Sequence, residues 1–384
     1  MCLWLMVADR IQPIPSYMNV QATQAGRPHY PILDGLRGTA ALLVVVFHLM
    51  ESVTPDQSAN HLRHGYLAVD FFFALSGYVM GYAYDDGWKT RSLWSFVKVR
   101  LVRLHPTIII GTVLGTAAYF LDPWFPGPHN PTLTAAIVAF AAGIVLIPSW
   151  TLPGRGTDYF PYNGVYWTLF FEYLANLAYA LVLRFLSIGW LIALTVAAAA
   201  VLIWRAAFYD TIHLGYDWHT VDMAPVRLCY PFLAGLVLSR LSRNGFKIKL
   251  GWLSLSVALV QCFAAPYWWV NITGFRANGL YDAAIVILVF PSIIALGAHA
   301  GVGDKWALLC KQLGRISYPL YGTHYALVYV YADWIQATAP SRALVLAVGA
   351  LTWVLAVAMA WGVSLLWDEP IRAALRRWTQ SKAA

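Results

Sequence analysis

Long apolar stretches separated by short polar connections follow one another along almost the whole chain. Most reach the roughly 20 residues that a helix needs to cross a bilayer. The pattern predicts an all-α fold, a polytopic bundle of transmembrane helices. The eleven stretches lie near residues 36–51, 66–84, 104–121, 133–147, 165–186, 188–204, 223–240, 250–270, 279–299, 315–335 and 342–367.

Composition agrees with a membrane protein, so the lipid bilayer is the first expected partner. Of the 384 residues, 60% are hydrophobic and 11% are charged, whereas soluble domains carry about 25% charged residues. The four cysteines have no metal-ligand spacing, so neither a metal site nor a disulfide framework is predicted. The basic clusters flank apolar stretches and are interpreted as orientation signals, so nucleic acid is not an expected partner.

Lysine and arginine are enriched in cytoplasmic loops of membrane proteins, and here they concentrate unevenly. Segments 85–104 and 240–250 are basic, whereas 122–132 has no lysine or arginine. Five apolar stretches separate the two basic segments, but only an even number of crossings can return the chain to the same side. The shortest of the five, 133–147, is therefore predicted to be re-entrant or interfacial, which leaves about ten spanning helices.

This topology divides the chain into three parts. We expect a cytoplasmic segment at 1–29, a membrane-embedded domain at 30–372 and a basic cytoplasmic tail at 373–384. The first 30 residues lack an apolar core followed by a small-residue cleavage site, so no cleavable signal is predicted. Segment 301–315 is also expected to be cytoplasmic. Both termini are then expected on the cytoplasmic side of the plasma (inner) membrane.

Ionisable residues inside the apolar stretches are the first candidates for function. Arg37 and His48 are eleven residues apart, which on a helix returns to within about 20° of the same face, about 16 Å further along. Asp34 falls within about 40° of that face. The three side chains can therefore line one path, although an interfacial Asp and Arg with one packed His would give the same pattern.

Four further polar residues lie at membrane depth. Asp70 and Ser76 are in the second stretch, Glu172 is in the fifth and His324 is near the end of the chain. The alternative structural roles are a first-turn acid for Asp70, close helix packing for Ser76 with its neighbouring glycine, and a packing hydrogen bond for His324. A membrane Glu needs a partner, and the candidates for Glu172 are His48, Arg37 and Arg227.

A basic segment precedes the third stretch. Lys98, Arg100 and Arg103 lie within six residues of one another. They either anchor the helix on the cytoplasmic side or form an anion site, since guanidinium groups suit phosphates. A nucleotide-phosphate donor would bind there.

The order of these motifs resembles that of the acyltransferase 3 family of integral membrane acyltransferases, across roughly residues 30–372. The matching pieces are Leu33-Asp34-Gly35-Leu36-Arg37-Gly38 with His48, Val69-Asp70-Phe71-Phe72-Phe73 through Ser76-Gly77, Arg100 and Arg103 with Pro106, Trp167 with Glu172, Ile316-Ser317-Tyr318 through Tyr321 to His324, and Glu369-Pro370. Six matches in the right order are specific.

The resemblance implies transfer of an acyl group, usually acetyl, from cytoplasmic acyl-coenzyme A to a sugar hydroxyl of a glycan or lipid-linked envelope precursor. Acyl-coenzyme A is then a donor substrate, and no permanently bound cofactor is expected. Some members of the family carry a fused extracytoplasmic esterase-like domain. Here only residues 368–384 follow the last apolar stretch, so the chain is expected to work alone or with a separate extracytoplasmic partner enzyme.

The resemblance also implies that Arg37 and His48 are essential. We expect His48 to act as the base on the acceptor hydroxyl or to carry the acyl group transiently, with Asp34 or Glu172 orienting it. Arg37 would hold a donor phosphate or carbonyl oxygen, and Arg100 and Arg103 the nucleotide phosphates. The other matched polar positions have substrate-binding or structural roles: Asp70, Ser76, Trp167, Tyr318 and His324.

Two aromatic-rich loops, 148–164 and 205–224, are predicted to lie outside the membrane. They either stack on sugar rings or form an interfacial aromatic belt. A transporter or flippase of a lipid-linked sugar or small anion would also keep Asp, Arg, Glu and His in a membrane path. Such transporters often contain internal repeats with broken helices, and the halves of this chain show no convincing repeat.

Overall fold

The computed structural model describes residues 30–54, 60–88, 90–125, 131–242, 250–268, 271–272 and 275–381. This part of the chain is almost entirely helical, as predicted. Two strands, β1 (Asn271–Ile272) and β2 (Phe275–Arg276), form a short antiparallel pair. The α-helices are α1 (Pro31–Glu51), α2 (Ala68–Tyr84), α3 (Leu93–Leu121), α4 (Leu133–Val145), α5 (Tyr166–Leu181), α6 (Ile188–Tyr209), α7 (Met223–Leu241), α8 (Trp252–Phe263), α9 (Ala277–Ala284), α10 (Phe290–His299), α11 (Asp304–Thr323), α12 (Tyr325–Thr338), α13 (Arg342–Val363) and α14 (Glu369–Ser381).

Each of the eleven apolar stretches contains a helix, and in the described part of the chain eight helical segments are long and apolar enough to cross a membrane. Short π-helical turns join α9 to α10 and α13 to α14. The other two predicted spans are not among these eight: one corresponds to α8, which with 12 residues is too short to cross alone, and the other is divided between α11 and α12. Most of 301–315 is helical, because α11 begins at Asp304 and carries its charged residues beyond the apolar part.

The fourth apolar stretch enters and leaves on one side of the bundle. At about 1.5 Å per residue, the 13 residues of α4 extend only about 20 Å, short of the ~30 Å hydrocarbon core. Tyr119, near the end of α3, packs with both Ala139 on α4 and Leu152 beyond it. Its hydroxyl also donates to the Pro153 carbonyl at 3.0 Å. The segment that follows α4 has therefore returned to the level of the end of α3, as the parity argument requires.

Helices α2 and α7 approach closely because glycine lies at their contact. A Cβ on Gly235 would overlap the Ala74 carbonyl oxygen, and one on Gly77 would overlap the Phe232 carbonyl oxygen. Small residues let membrane helices approach in this way. Gly77 thus has the packing role that the sequence allowed, whereas the neighbouring Ser76 forms a hydrogen bond described below.

Replacing Gly235 with Ala is expected to destabilise the protein by about 1–3 kcal/mol, because the new methyl group must displace helix backbone. The matched control is Gly362→Ala. Gly362 lies inside α13, and a Cβ there meets nothing within 4 Å, so the better helix propensity of Ala should leave stability equal or slightly higher. Unfolding of both variants in mixed micelles tests the pair, and equal losses would contradict the packing argument.

The break between α11 and α12 places a histidine beside the end of α1. Helix α11 contains Pro319 and ends at Thr323, and α12 begins at Tyr325. The interruption lies at His324, whose ring stacks on His48 at the end of α1 with centroids 5.6 Å apart. Helix α1 packs along α11, since Gly38 contacts Leu313.

Candidate active site

His48 lies in the last turn of α1 with a carboxylate on one ring nitrogen. Its Nδ1 is 3.0 Å from Oε2 of Glu51, three residues further along the chain. The carboxylate can only accept, so Nδ1 carries a hydrogen, and in the neutral ring Nε2 is the nitrogen with the lone pair. No described residue forms a hydrogen bond with Nε2. The ring is held by His324 on one side and by the edge contact with Tyr325, at 4.9 Å.

A cavity of about 330 Å³ opens beside this histidine. The helices supply aromatic and charged groups to its wall, and two loops supply the rest. These are the α4–α5 loop (residues 146–165) and the α6–α7 loop (residues 210–222). Its polar and aromatic lining includes His48, Glu51, Trp167, Arg227, Tyr325 and Tyr329 from helices, and Asp158, His213 and Tyr216 from the loops.

Hydrogen bonds join the two loops to each other beside the cavity. The backbone amide of Trp218 donates to the Thr157 carbonyl at 3.1 Å. Its indole donates to the Ser149 carbonyl at 3.2 Å, and Tyr159 donates to the Gly215 carbonyl. The aromatic loops singled out in the sequence therefore form one cap.

Burial sets the charge of two groups on the cap. It raises the pKa of Asp158 to about 7, although the Tyr329 hydroxyl, which donates at 3.4 Å, opposes the shift. Burial lowers the pKa of His213 to about 4. His213 is therefore neutral at neutral pH, and its 3.6 Å approach to Glu51 is not a charged pair there.

Arg37 is held at the opposite end of α1. Its guanidinium donates to Ser317 Oγ at 2.9 Å and to the Gly314 carbonyl at 3.1 Å, and it pairs with Asp34 at 2.9 Å. Arg37 and His48 thus both face the α11–α12 segment, as the helix geometry predicts. Neither Asp34 nor Arg37 lines the cavity beside His48, so the path lined by all three residues stays a prediction.

Glu51 is the carboxylate that contacts His48, and sequence reasoning missed it. The acids predicted to orient His48 were Asp34, which is 14 residues away on the same helix, and Glu172, which is on α5. The signal was local, because residues three apart on a helix are neighbours. Glu51 is the last residue of α1 and of the apolar stretch, a position typical of an interfacial acid.

Glu172 has a partner that the sequence did not suggest. Arg100 reaches its Oε1 at 3.0 Å, and Ser76 donates to the same oxygen at 3.3 Å. The expectation that His48, Arg37 or Arg227 pairs with Glu172 is therefore wrong. The contact joins α3 to α5, and which helices become neighbours depends on the tertiary fold. Arg100 is only 4% exposed, which limits its access to a soluble ligand.

Arg227 instead pairs with Asp70 inside the bundle. Its Nη2 is 2.6 Å from Asp70 Oδ2, and its Nε is 3.3 Å from Oδ1. It also donates to the Tyr66 carbonyl at 2.9 Å and lies over the ring of Trp167 at 5.1 Å. Asp70 is in the first turn of α2, as one alternative held, but it is fully buried and forms an ion pair.

Two further candidates, Tyr318 and His324, form hydrogen bonds with helix backbone. The Tyr318 hydroxyl donates to the Leu104 carbonyl at 3.0 Å. His324 donates from Nδ1 to the carbonyls of Leu320 and Tyr321 at 2.9 and 3.0 Å. The packing role considered for His324 thus exists, together with its stacking on His48.

A second charged region surrounds the start of α1. Arg103 and Arg372 are close enough to repel Arg37 electrostatically. They also repel Arg376. Arg372 pairs with Asp368 at 2.7 Å, and Arg376 is exposed on α14. The molecule therefore has a cationic end at Arg37 and an aromatic, carboxylate-bearing cavity at His48.

Comparison with known proteins decides the family. A family described as an acyltransferase domain matches residues 30–364, most of the chain. The chain belongs to the acyltransferase 3 family. It is a multi-pass membrane protein and an enzyme of the O-acyltransferase type.

Three curated proteins are similar to the chain. Protein 2 in the picA locus of Rhizobium radiobacter is 33% identical over 171 residues, 41% of this chain and 84% of that protein. Acyltransferase MdmB of Streptomyces mycarofaciens is 25% identical, over 78% of this chain and 79% of its own. The O-acetyltransferase OatA of Staphylococcus aureus is 26% identical over 82% of this chain, which spans 53% of OatA. No solved structure matches the chain.

Proposed function

We propose that this enzyme moves an acyl group, acetyl in the simplest case, from cytoplasmic acyl-coenzyme A to a hydroxyl of a cell-envelope or secreted glycan or lipid-linked sugar. The names of the similar proteins support the acetyl group, since OatA is an O-acetyltransferase. The protein would lie in the plasma membrane with the cationic end at Arg37 inside and the cavity at His48 outside, following the distribution of basic residues.

The observation that carries the proposal is the His48–Glu51 pair at the cavity. A hydrogen bond at Nδ1 fixes the tautomer and leaves Nε2 as a proton acceptor. Imidazole is suited to proton transfer near neutral pH. A hydroxyl in the cavity could therefore lose its proton to Nε2 as it attacks a thioester carbonyl.

The donor would bind at the cationic end. Arg103 is the most available of the residues first assigned to phosphates, since Arg100 is buried against Glu172. Arg372 and Arg376 extend the positive field beside Arg103, which suits the phosphates of coenzyme A. Because His48 lies about 16 Å from Arg37 along α1, the acyl group must travel on the extended arm of the donor to reach Nε2.

Two routes conserve atoms and charge. In the direct route, Nε2 takes the acceptor proton, the hydroxyl oxygen bonds to the acyl carbon, the carbon–sulfur bond breaks and the proton passes to the thiolate. In the covalent route, Nε2 first bonds to the acyl carbon, the carbon–sulfur bond breaks and coenzyme A leaves as the thiolate. The acceptor oxygen then bonds to the acyl carbon, the carbon–nitrogen bond breaks, and the hydroxyl proton passes to the freed Nε2 and from there to the thiolate or to water. A covalent route predicts acyl-His48 when acyl-coenzyme A is supplied alone.

The test combines purified enzyme and cells. Protein in nanodiscs is expected to consume acetyl-coenzyme A slowly and to release thiol, whereas a transporter would not. In parallel, nuclear magnetic resonance of envelope and secreted glycans should show an O-acyl signal that disappears in a deletion strain and returns with the wild-type gene. Absence of thiol release together with identical glycan spectra in both strains would overturn the proposal.

A further inference from the structure

The cavity beside His48 contains hydrogen-bonding groups that the described residues do not use. The hydroxyls of Tyr216 and Tyr325 have no hydrogen-bond partner in the described part of the chain, and neither has His48 Nε2. Burial raises the pKa of the Tyr216 hydroxyl to about 12, so it stays protonated and can donate. Asp158 uses one carboxyl oxygen for Tyr329 and keeps the other.

We infer that this cavity binds a single uncharged sugar ring, with Asp158 and Tyr216 forming hydrogen bonds to its hydroxyls, and that it rejects anionic sugars. The inference rests on the proposed function, since it specifies the acceptor that His48 would acylate. Aromatic faces interleaved with a carboxylate and hydroxyls match a sugar, which has apolar ring faces and a rim of hydroxyls.

The size of the cavity limits the acceptor. Small-molecule sites usually measure about 300–1,000 Å³, and this one, at about 330 Å³, is at the lower end. That volume suits one ring and excludes several. The remainder of a longer glycan would then extend out past the cap formed by the α4–α5 and α6–α7 loops.

The charge of the wall argues against an anion. Glu51 and Asp158 line the cavity, and Glu51 and Asp217 both act electrostatically on Asp158. Arg227 is the one arginine among the described lining residues, and it is already paired with Asp70 at 2.6 Å. A uronic acid or phosphorylated sugar would bring a further negative charge beside these acids, with no uncommitted arginine or lysine among the described residues that line the cavity.

Equilibrium binding tests this without relying on catalysis. The probes are methyl glycosides of glucose, galactose and mannose, each compared with its own methyl uronide, with protein in nanodiscs rather than in a sugar-headed detergent. At least one neutral glycoside is expected to bind about tenfold more tightly than its uronide. No saturable binding of any neutral glycoside, or uronides that bind equally or better, would overturn the inference.

Two variants locate the site. Asp158→Asn and Tyr216→Phe are each expected to raise the Kd of the best neutral glycoside by about three- to tenfold, and Asp158→Asn should also reduce discrimination against the uronide. Asp304→Asn is the matched control, because Asp304 is exposed at the start of α11, and it should keep the wild-type Kd. Tyr216→Phe retains the ring, so it still tests the site if Asp158→Asn does not fold.

The outcomes separate this inference from the proposed function. Wild-type Kd values in both folded variants would overturn the sugar site even if acyl transfer takes place. Tight, discriminating binding that both variants weaken supports the site even if no acyl group is transferred, in which case the proposed function fails alone.

Discussion

Replacing His48 with Gln is expected to lower the rate of acyl transfer by about a hundredfold or more, while the protein still folds. General-base catalysis contributes about 10²–10⁴ to a rate, and an amide has no comparable basicity. Gln keeps a donor that can reach Glu51, so the last turn of α1 should be retained. The effect should fall mainly on kcat, since the ring acts on the reacting atoms.

The measurement is thiol release and product formation by purified variants at saturating acetyl-coenzyme A. His219→Gln is the matched control, because His219 is an exposed histidine in the α6–α7 loop and does not line the cavity. It should retain full activity. A His48→Gln protein that transfers acyl groups at more than a tenth of the wild-type rate would remove His48 from the chemistry.

Glu51 enters this prediction as the group that positions His48. Glu51→Gln is expected to lower transfer by about tenfold or more, because the carboxylate at 3.0 Å holds the orientation and the Nδ1–H tautomer of the ring. Residues that act as a unit give non-additive losses. The double variant should therefore be little worse than His48→Gln alone, whereas additive losses would mean that Glu51 acts elsewhere.

The periodic parts of this protein could be predicted from the sequence. The spacing of Arg37 and His48 follows from helix geometry, which an apolar stretch of that length must adopt in a membrane. The re-entrant α4 follows from parity, because the number of crossings is a discrete quantity. The structure agrees on both points, since the two side chains face α11–α12 and α4 turns back beside Tyr119.

The pairing of charges could not be predicted in the same way. Glu172 and Arg100 are 72 residues apart, and their contact depends on which of many helices become neighbours. A buried carboxylate is expected to pair with a cation, but the sequence does not say with which one. The meeting of the α4–α5 and α6–α7 loops depends likewise on irregular backbone, so the sequence suggested aromatic surfaces but not the shared cavity.

The largest expected effect on stability comes from the buried pair of Asp70 and Arg227. Asp70→Asn is expected to destabilise the protein by about 3–5 kcal/mol, the usual cost of leaving a buried charge without its partner. The two side chains are 0% and 1% exposed, so water cannot replace the lost carboxylate. The Tyr66 and Leu214 carbonyls still accept from Arg227, but they supply no opposite charge.

Glu369→Gln is the matched control, because Glu369 pairs with Arg315 where both side chains are about 30% exposed. Exposed pairs contribute about 0–1 kcal/mol, so this variant should unfold close to the wild type. Removing both buried charges with Asp70→Leu and Arg227→Met should recover most of the loss, since the cost arises from the unpaired ion. Unfolding in mixed micelles measures all three, and a stable Asp70→Asn protein would mean that Arg227 finds another partner when the carboxylate is absent.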